Sequence, residues 1–307
     1  MATAAQAAES LGRAACAVQL PGGYVDEHGV VQAEAELTPL TGRDEEWLAD
    51  LPQDAPASAV VTKLLARRLV RIGTLRPVTA STVRDMLVGD REYLILKLRE
   101  ITFGNRVDAV FHCPNPDCGK PMDVTFSVDD IEVRRAPVSA RYFSLRLPAK
   151  SGRDLGDLVE FRLPTGGDQE AVAEIGRQDE EHAVLAMLAR CVRSLGAHTS
   201  VNAAVIAGLS QEDLGQIEEV MYERAPHLEI EPEAVCPECG RGFIAPFDMA
   251  SFFVKEVRPE HWRLERDVHV LARHYHWSEQ DILSLPIQKR RRYLHLLQEE
   301  FEAYADQ

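Results

Sequence analysis

The residues of this chain best suited to chemistry are four cysteines in two short pairs: Cys113 and Cys118 in CPNPDCG, and Cys236 and Cys239 in CPECG. Thiolate sulfur is a soft ligand that suits zinc, and four thiolates complete the tetrahedral shell of a closed structural site. The proline and glycine around each pair favour a tight knuckle in which backbone amides turn toward the sulfurs. CPECG is the sharper signal, and the four-residue spacer of the first pair is wider but still ligand-like. Sharing one metal requires the chain between the pairs to leave and return. Loop closure costs grow only logarithmically with length, whereas structural zinc contributes on the order of 10 kcal/mol in small domains. Redox dithiols or a disulfide framework are the competing uses, but only Cys236 and Cys239 have redox spacing, without a thioredoxin-like setting. The expectation is one structural zinc on Cys113, Cys118, Cys236 and Cys239. Cys16 and Cys191 are then ordinary thiols, and His112 lies outside the shell.

No second chemistry stands out. His261, His269, His274 and His276 are dense but lack the i, i+4 spacing that would pair two imidazoles on a helix, and HExxH is absent. There is no GxxxxGK phosphate loop, no GxSxG elbow and no GxGxxG fingerprint, so the sequence points away from an enzyme. The net charge of −15, from 49 acidic and 34 basic side chains, argues against generic attraction to nucleic acid or anionic membrane. No apolar run approaches the length of a bilayer span, and the alanine-rich start lacks a signal-peptide pattern. A cytoplasmic place of synthesis, with reduced cysteines, is expected.

The chain has 307 residues, 45% of them apolar, enough for several packed modules. Residues 1–37 read as an N-terminal arm, flexible in part. Residues 38–104 read as a helical module: Asp44 suits a helix N-terminus, Val61, Leu64, Leu65, Leu69 and Ile72 recur at helical spacing, and Gly73 and Gly104 stand as stops. From Val107 the period changes to two, with Met122, Val124, Phe126 and Val128 alternating against polar residues just after the first cysteine pair. Strand, knuckle, strand recurs around the second pair, with HLEIE before it and Phe243, Ala245 and Phe247 after. The fold class expected is α+β. A split zinc-ribbon-like β core (105–129 and 228–250) holds an αβ insertion (130–227), between the N-terminal helical module and a C-terminal helical hairpin (251–307). In the insertion, RYFSLRL and LVEFRL read as strands and a long helix runs to about Leu195, followed by a helix capped at Ser210 and Asp213. In the hairpin, Leu264, Val268, Leu271 and Tyr275 form one stripe. Ser278 with Asp281 restarts the helix, and Pro286 precedes a last helix bearing Leu294, Leu297 and Phe301.

Taken in order, LTGRDEEWL, VGDREYLILKLREITFG, FRLPTGGDQEAV, CPECG and HYHWSEQDILSLPIQKRRRYLHLL resemble segments of baseplate hub and hub-assembly proteins of T-even-like phages and phage-derived contractile injection systems. The resemblance implies a noncatalytic protein that forms or helps build the end of a contractile tail, in contact with other baseplate, tube or spike proteins, as a permanent part or an assembly chaperone. Only the four cysteines carry over as a site.

A partner surface is expected in the C-terminal hairpin at Lys289, Arg290, Arg291, Arg292, Trp277 and Tyr293. Four cations in the first turns of a helix oppose its dipole and call for acidic partners, either Glu279 and Asp281 or carboxylates of another subunit. The alternative is that Trp277 and Tyr293 fill the hairpin core while the arginines are solvated. The same basic run is the best argument for a different function, a zinc-ribbon nucleic-acid-binding or transcription-adaptor protein. It lacks the interleaved aromatics used for base stacking.

Overall fold

The computed structural model describes residues 15–148, 156–245 and 247–305. Among them the chain is mixed α and β, with twelve α-helices and five small sheets. The first sheet is an antiparallel meander of β1 (Cys16–Val25), β2 (Val31–Leu37) and β3 (Leu69–Ile72). Helices α1 (Gly42–Ala49) and α2 (Ala57–Arg68) cross between β2 and β3, and the short α3 (Ala80–Asp85) and long α4 (Val88–Phe103) follow.

Residues 16–37 are thus a hairpin in the main core and not an arm, because Val18 and Leu20 on β1 and Ala35 and Leu37 on β2 point inward. Residues 1–14 of the expected arm lie outside the described residues. The helix expected to run through Ile72 stops at Arg68. Leu69 and Ile72 are both buried with two half-exposed residues between them, since the register shifts at Glu36 and Leu37 of the partner strand. A bulged strand can therefore mimic helical spacing.

The hairpin of β4 (Arg106–His112) and β5 (Pro121–Ser127) pairs without a shift and carries the first cysteine pair in its turn. After β6 (Glu132–Arg134) comes a second meander, β7 (Phe143–Arg146), β8 (Leu158–Phe161) and β9 (Val192–Leu195). The expected long helix before β9 is two helices, α5 (Gly166–Gln178) and α6 (Glu180–Cys191), broken at Asp179, whose carboxylate accepts the His182 amide as the cap of α6. Helices α7 (Ala203–Ala207) and α8 (Gln211–Arg224) follow. HLEIE does not flank the second knuckle: its β10 (His227–Glu229) pairs with β6, and the second hairpin is β11 (Glu233–Val235) with β12 (Gly242–Ile244). Helix α9 (Met249–Val257) returns to the first core, where Phe253 meets Phe103 edge-on at 6.2 Å. The C-terminal layer is α10 (His261–Tyr275), α11 (Glu279–Ser284) and α12 (Ile287–Ala305).

The two meanders belong to duplicated units. Each runs strand, strand, helix, helix, strand, short helix, long helix, with strand orders β1-β2-β3 and β7-β8-β9. The sequence repeats with the fold. Thr41-Gly42-Arg43-Asp44 opens α1 as Thr165-Gly166-Gly167-Asp168 opens α5, and Leu65-Ala66-Arg67 closes α2 as Leu188-Ala189-Arg190 closes α6. After each third strand a glycine at positive φ, Gly73 at 52° or Gly196 at 56°, reverses the chain, which glycine does without a Cβ penalty. The short helix is capped by Thr79 in one copy and Asn202 in the other, and Ser278 caps a third such short helix, α11, ahead of α12.

Candidate metal centre and two buried arginine joints

The two knuckles bring together all four cysteines expected from the sequence. Their sulfurs lie within 4.8 Å of one another, with Cys113 to Cys239 at 3.6 Å and Cys118 to Cys236 at 3.7 Å. Four sulfurs around one zinc, at bonds of about 2.3 Å, stand roughly 3.8 Å apart. A disulfide would bring two to about 2.0 Å, and all six cysteines are free thiols. The donor set fits a tetrahedral metal. His112 pairs with Pro121 at the end of the hairpin.

The knuckles are built alike. The Cys113 amide donates to the Lys120 carbonyl at 2.9 Å and the Cys236 amide to Arg241 at 3.0 Å, and each loop closes on a glycine at positive φ, Gly119 or Gly240. Backbone amides of Asn115, Lys120 and Arg241 point at the sulfurs of Cys113, Cys118 and Cys239. At Cys239 the Arg241 amide is the main influence and the thiol is lowered to about 7, whereas at Cys113 and Cys118 the Asn115 and Lys120 amides are outweighed by burial and neighbouring sulfurs, which raise both thiols. Buried Met122 and Ala234, with Phe111, Val124 and Phe243, cover the inner side. Cys236 is fully buried and Cys239 exposed, so the centre has one open edge. Among the described residues this is the one cluster of three or more potential metal ligands.

The expected partner residues divide. Trp277 stacks on Tyr275 at 4.8 Å and meets Tyr293 edge-on at 4.9 Å, half-buried in the hairpin core with Leu271, Ile282 and Leu297. These two aromatics hold the hairpin together. Arg290 is 2% exposed and its guanidinium is taken up within the chain. Its Nη2 donates to Glu45 on α1, and its Nε to Asp267 on α10 at 3.4 Å. The acids that answer the helix-start cations are therefore Glu45 and Asp267, and burial pushes both carboxyls up in pKa against the pull of Arg290. Arg291 and Arg292 remain exposed, with Arg291 over the Phe103 ring at 5.2 Å, and Lys289 is half-buried.

Arg290 is one of two such arginines. The amide of Gly42 donates to the Leu285 carbonyl at 3.3 Å, the Ile287 amide returns to Leu40 at 3.0 Å, and Arg290 lies against Gly42. In the second unit the amide of Gly166 donates to the Met86 carbonyl at 3.0 Å, the Val88 amide returns to Pro164 at 3.1 Å, and Arg91 lies against Gly166. A Cβ at Gly42 would sit 2.6 Å from Arg290 Nη1, and one at Gly166 only 1.2 Å from Arg91 Nη1, which is why both positions are glycine. The neighbouring aspartates lock each acceptor loop. Asp44 binds the Thr41 amide at 2.8 Å and Arg67 at 2.9 Å, and Asp168 binds the Thr165 amide at 2.9 Å and Arg190 at 2.8 Å. Burial disfavours the charge on Asp168, but Arg162 and the Thr165 amide outweigh it and hold the carboxyl down at about 2. Sequence reading passed over these joints. Their signal was the recurrence of Thr-Gly-x-Asp and Leu-Ala-Arg at matching distances from a strand.

A family model described as T4 bacteriophage base plate protein matches residues 60–254. The chain belongs to this family of phage baseplate proteins, and the matched span includes all four cysteines and the Arg91 joint. No curated protein and no solved structure gives a significant match. Among the described residues no helix is long and apolar enough to cross a membrane.

Proposed function

We propose that the protein is a noncatalytic structural or assembly component of the baseplate hub in a contractile tail or phage-derived injection system, folded around one structural zinc. Cys113, Cys118, Cys236 and Cys239 would hold the metal, whose role is to fasten two hairpins that bracket the second duplicated unit. In this reading the hairpins are the halves of a zinc ribbon split by an αβ insertion. The observation that carries it is the membership of residues 60–254 in a baseplate family, with the tetrathiol centre inside that span. The exposed cations Arg291 and Arg292 are the part of the expected docking surface still open to a baseplate, tube or spike protein. Of the four cations behind the nucleic-acid reading, Arg290 is committed to Glu45. Mass spectrometry of the baseplate fraction of natively purified particles tests the proposal. The protein is expected there or in complexes with baseplate subunits during assembly. Its absence from both would refute it.

A further inference from the structure

The two arginine joints differ in one respect. Arg290 faces two carboxylates, Glu45 and Asp267. Arg91, 1% exposed, faces none within hydrogen-bond reach: its Nη2 donates to the Ser58 carbonyl at 2.7 Å, while Nε and Nη1 have no hydrogen-bond partner. The position that is Glu45 in the first unit is Gln169 in the second. Of the nearby acids, Glu170 is already bound by Arg84 at 2.7 Å and by Thr62. Glu92, desolvated and repelled by Asp248, is pushed up to about 7 and is only partly charged at neutral pH.

Arg91 lines an open cleft of about 1270 Å³ between α2, α4, α5, α9 and α10. Two more polar groups without a hydrogen-bond partner lie on its wall, Ser58 Oγ and Arg258 Nε, and Trp262, 53% exposed, stands at its rim. Glu170 lies close enough to act on Arg91 electrostatically, but no carboxylate accepts from its N–H groups, and its twin in the same chain shows what satisfies them. The cleft is larger than a small metabolite needs, and its mix of apolar wall, convergent donors and a rim tryptophan suits a peptide segment anchored by one acid.

We propose that this cleft receives a segment of another particle subunit that presents a carboxylate to Arg91, completing the joint as Glu45 completes the joint at Arg290. The inference rests on the baseplate reading above.

The test uses the full-length protein, its Gln169→Glu variant, and Trp262→benzoylphenylalanine as a photo-cross-linker in both backgrounds. Gln169→Glu supplies the carboxylate from within. It is expected to raise the thermal midpoint and to lower recovery with baseplate subunits by about tenfold or more. The cross-linked peptide is expected to come from another particle subunit, to contain Asp, Glu or a terminal carboxylate, and to be lost in the Gln169→Glu background. Recovery of Gln169→Glu at the wild-type level, a lowered midpoint, a cross-link that persists, or a captured peptide without a carboxylate overturns the inference. If the wild type itself associates with no baseplate subunit, the functional reading fails and this inference falls with it.

Discussion

Replacing Arg290 by Met should unfold the C-terminal layer from the first core. Arg290 is 2% exposed and joins Glu45 on α1 to Asp267 on α10, so its loss leaves two acids in a site that already disfavours their charge. Breaking a buried pair from one side typically costs about 3–5 kcal/mol, which in a chain of this size lowers the thermal midpoint by roughly 6–10 °C. Adding Glu45→Met should recover much of that loss, because an apolar pair of similar volume is often neutral. Arg292→Glu should shift the midpoint little, since an exposed charge contributes at most about 1 kcal/mol, whereas Arg291 lies 4.0 Å from Glu45 and its reversal should destabilise. Thermal and urea melts of the purified protein measure each. An Arg290→Met protein as stable as wild type, or a double variant no better than the single, would refute the joint as the link between these layers.

Gly166→Ala should destabilise strongly, as its Cβ would fall 1.2 Å from Arg91 Nη1, whereas Gly167→Ala meets nothing closer than 3.6 Å and should be near neutral; paired urea melts compare them. The four-thiol centre favours higher pH, where its cysteines deprotonate, and two buried carboxyls act against it. Burial pushes Asp90 up to about 6 and Glu92 up to about 7, so the fold holds protons that the unfolded chain releases and loses stability as pH rises from about 4 to 7. Asp168, held at about 2, acts oppositely: its contribution of about 2 kcal/mol is present above pH 4 and is lost as pH falls through 2. Melts of Glu92→Gln and Asp168→Asn against pH should each flatten one side of the profile. Cys236→Ser should lose both metal and soluble yield, because a buried weak ligand leaves the two hairpins unfastened; normal yield and midpoint would count against a shared site.

The four-cysteine cluster was legible because each half is local: five or six residues specify a knuckle, and only their meeting is long-range. The same holds for the caps at Ser210 and Ser278, where the hydroxyl accepts an amide three residues on. Arg290 was misjudged for the opposite reason. Its acid partner Glu45 lies 245 positions away, and a basic run at a helix start carries no mark of which cation turns inward. The first hairpin was hidden by PGG inside β1, where the pairing shifts between Gln19 and Tyr24 and strand alternation fails. Helical spacing at Leu69 and Ile72 came from a bulge. The duplicated unit was legible in principle, since Thr-Gly-x-Asp and Leu-Ala-Arg recur, but such a signal appears only when the chain is compared with itself.

X-ray absorption at the zinc edge, on full-length protein purified without chelator, tests the central claim most directly. One zinc per chain is expected, with four sulfurs at about 2.3 Å and no nitrogen or oxygen neighbour. Metal-free folded protein, a disulfide within either pair, or a shell completed by histidine would contradict it.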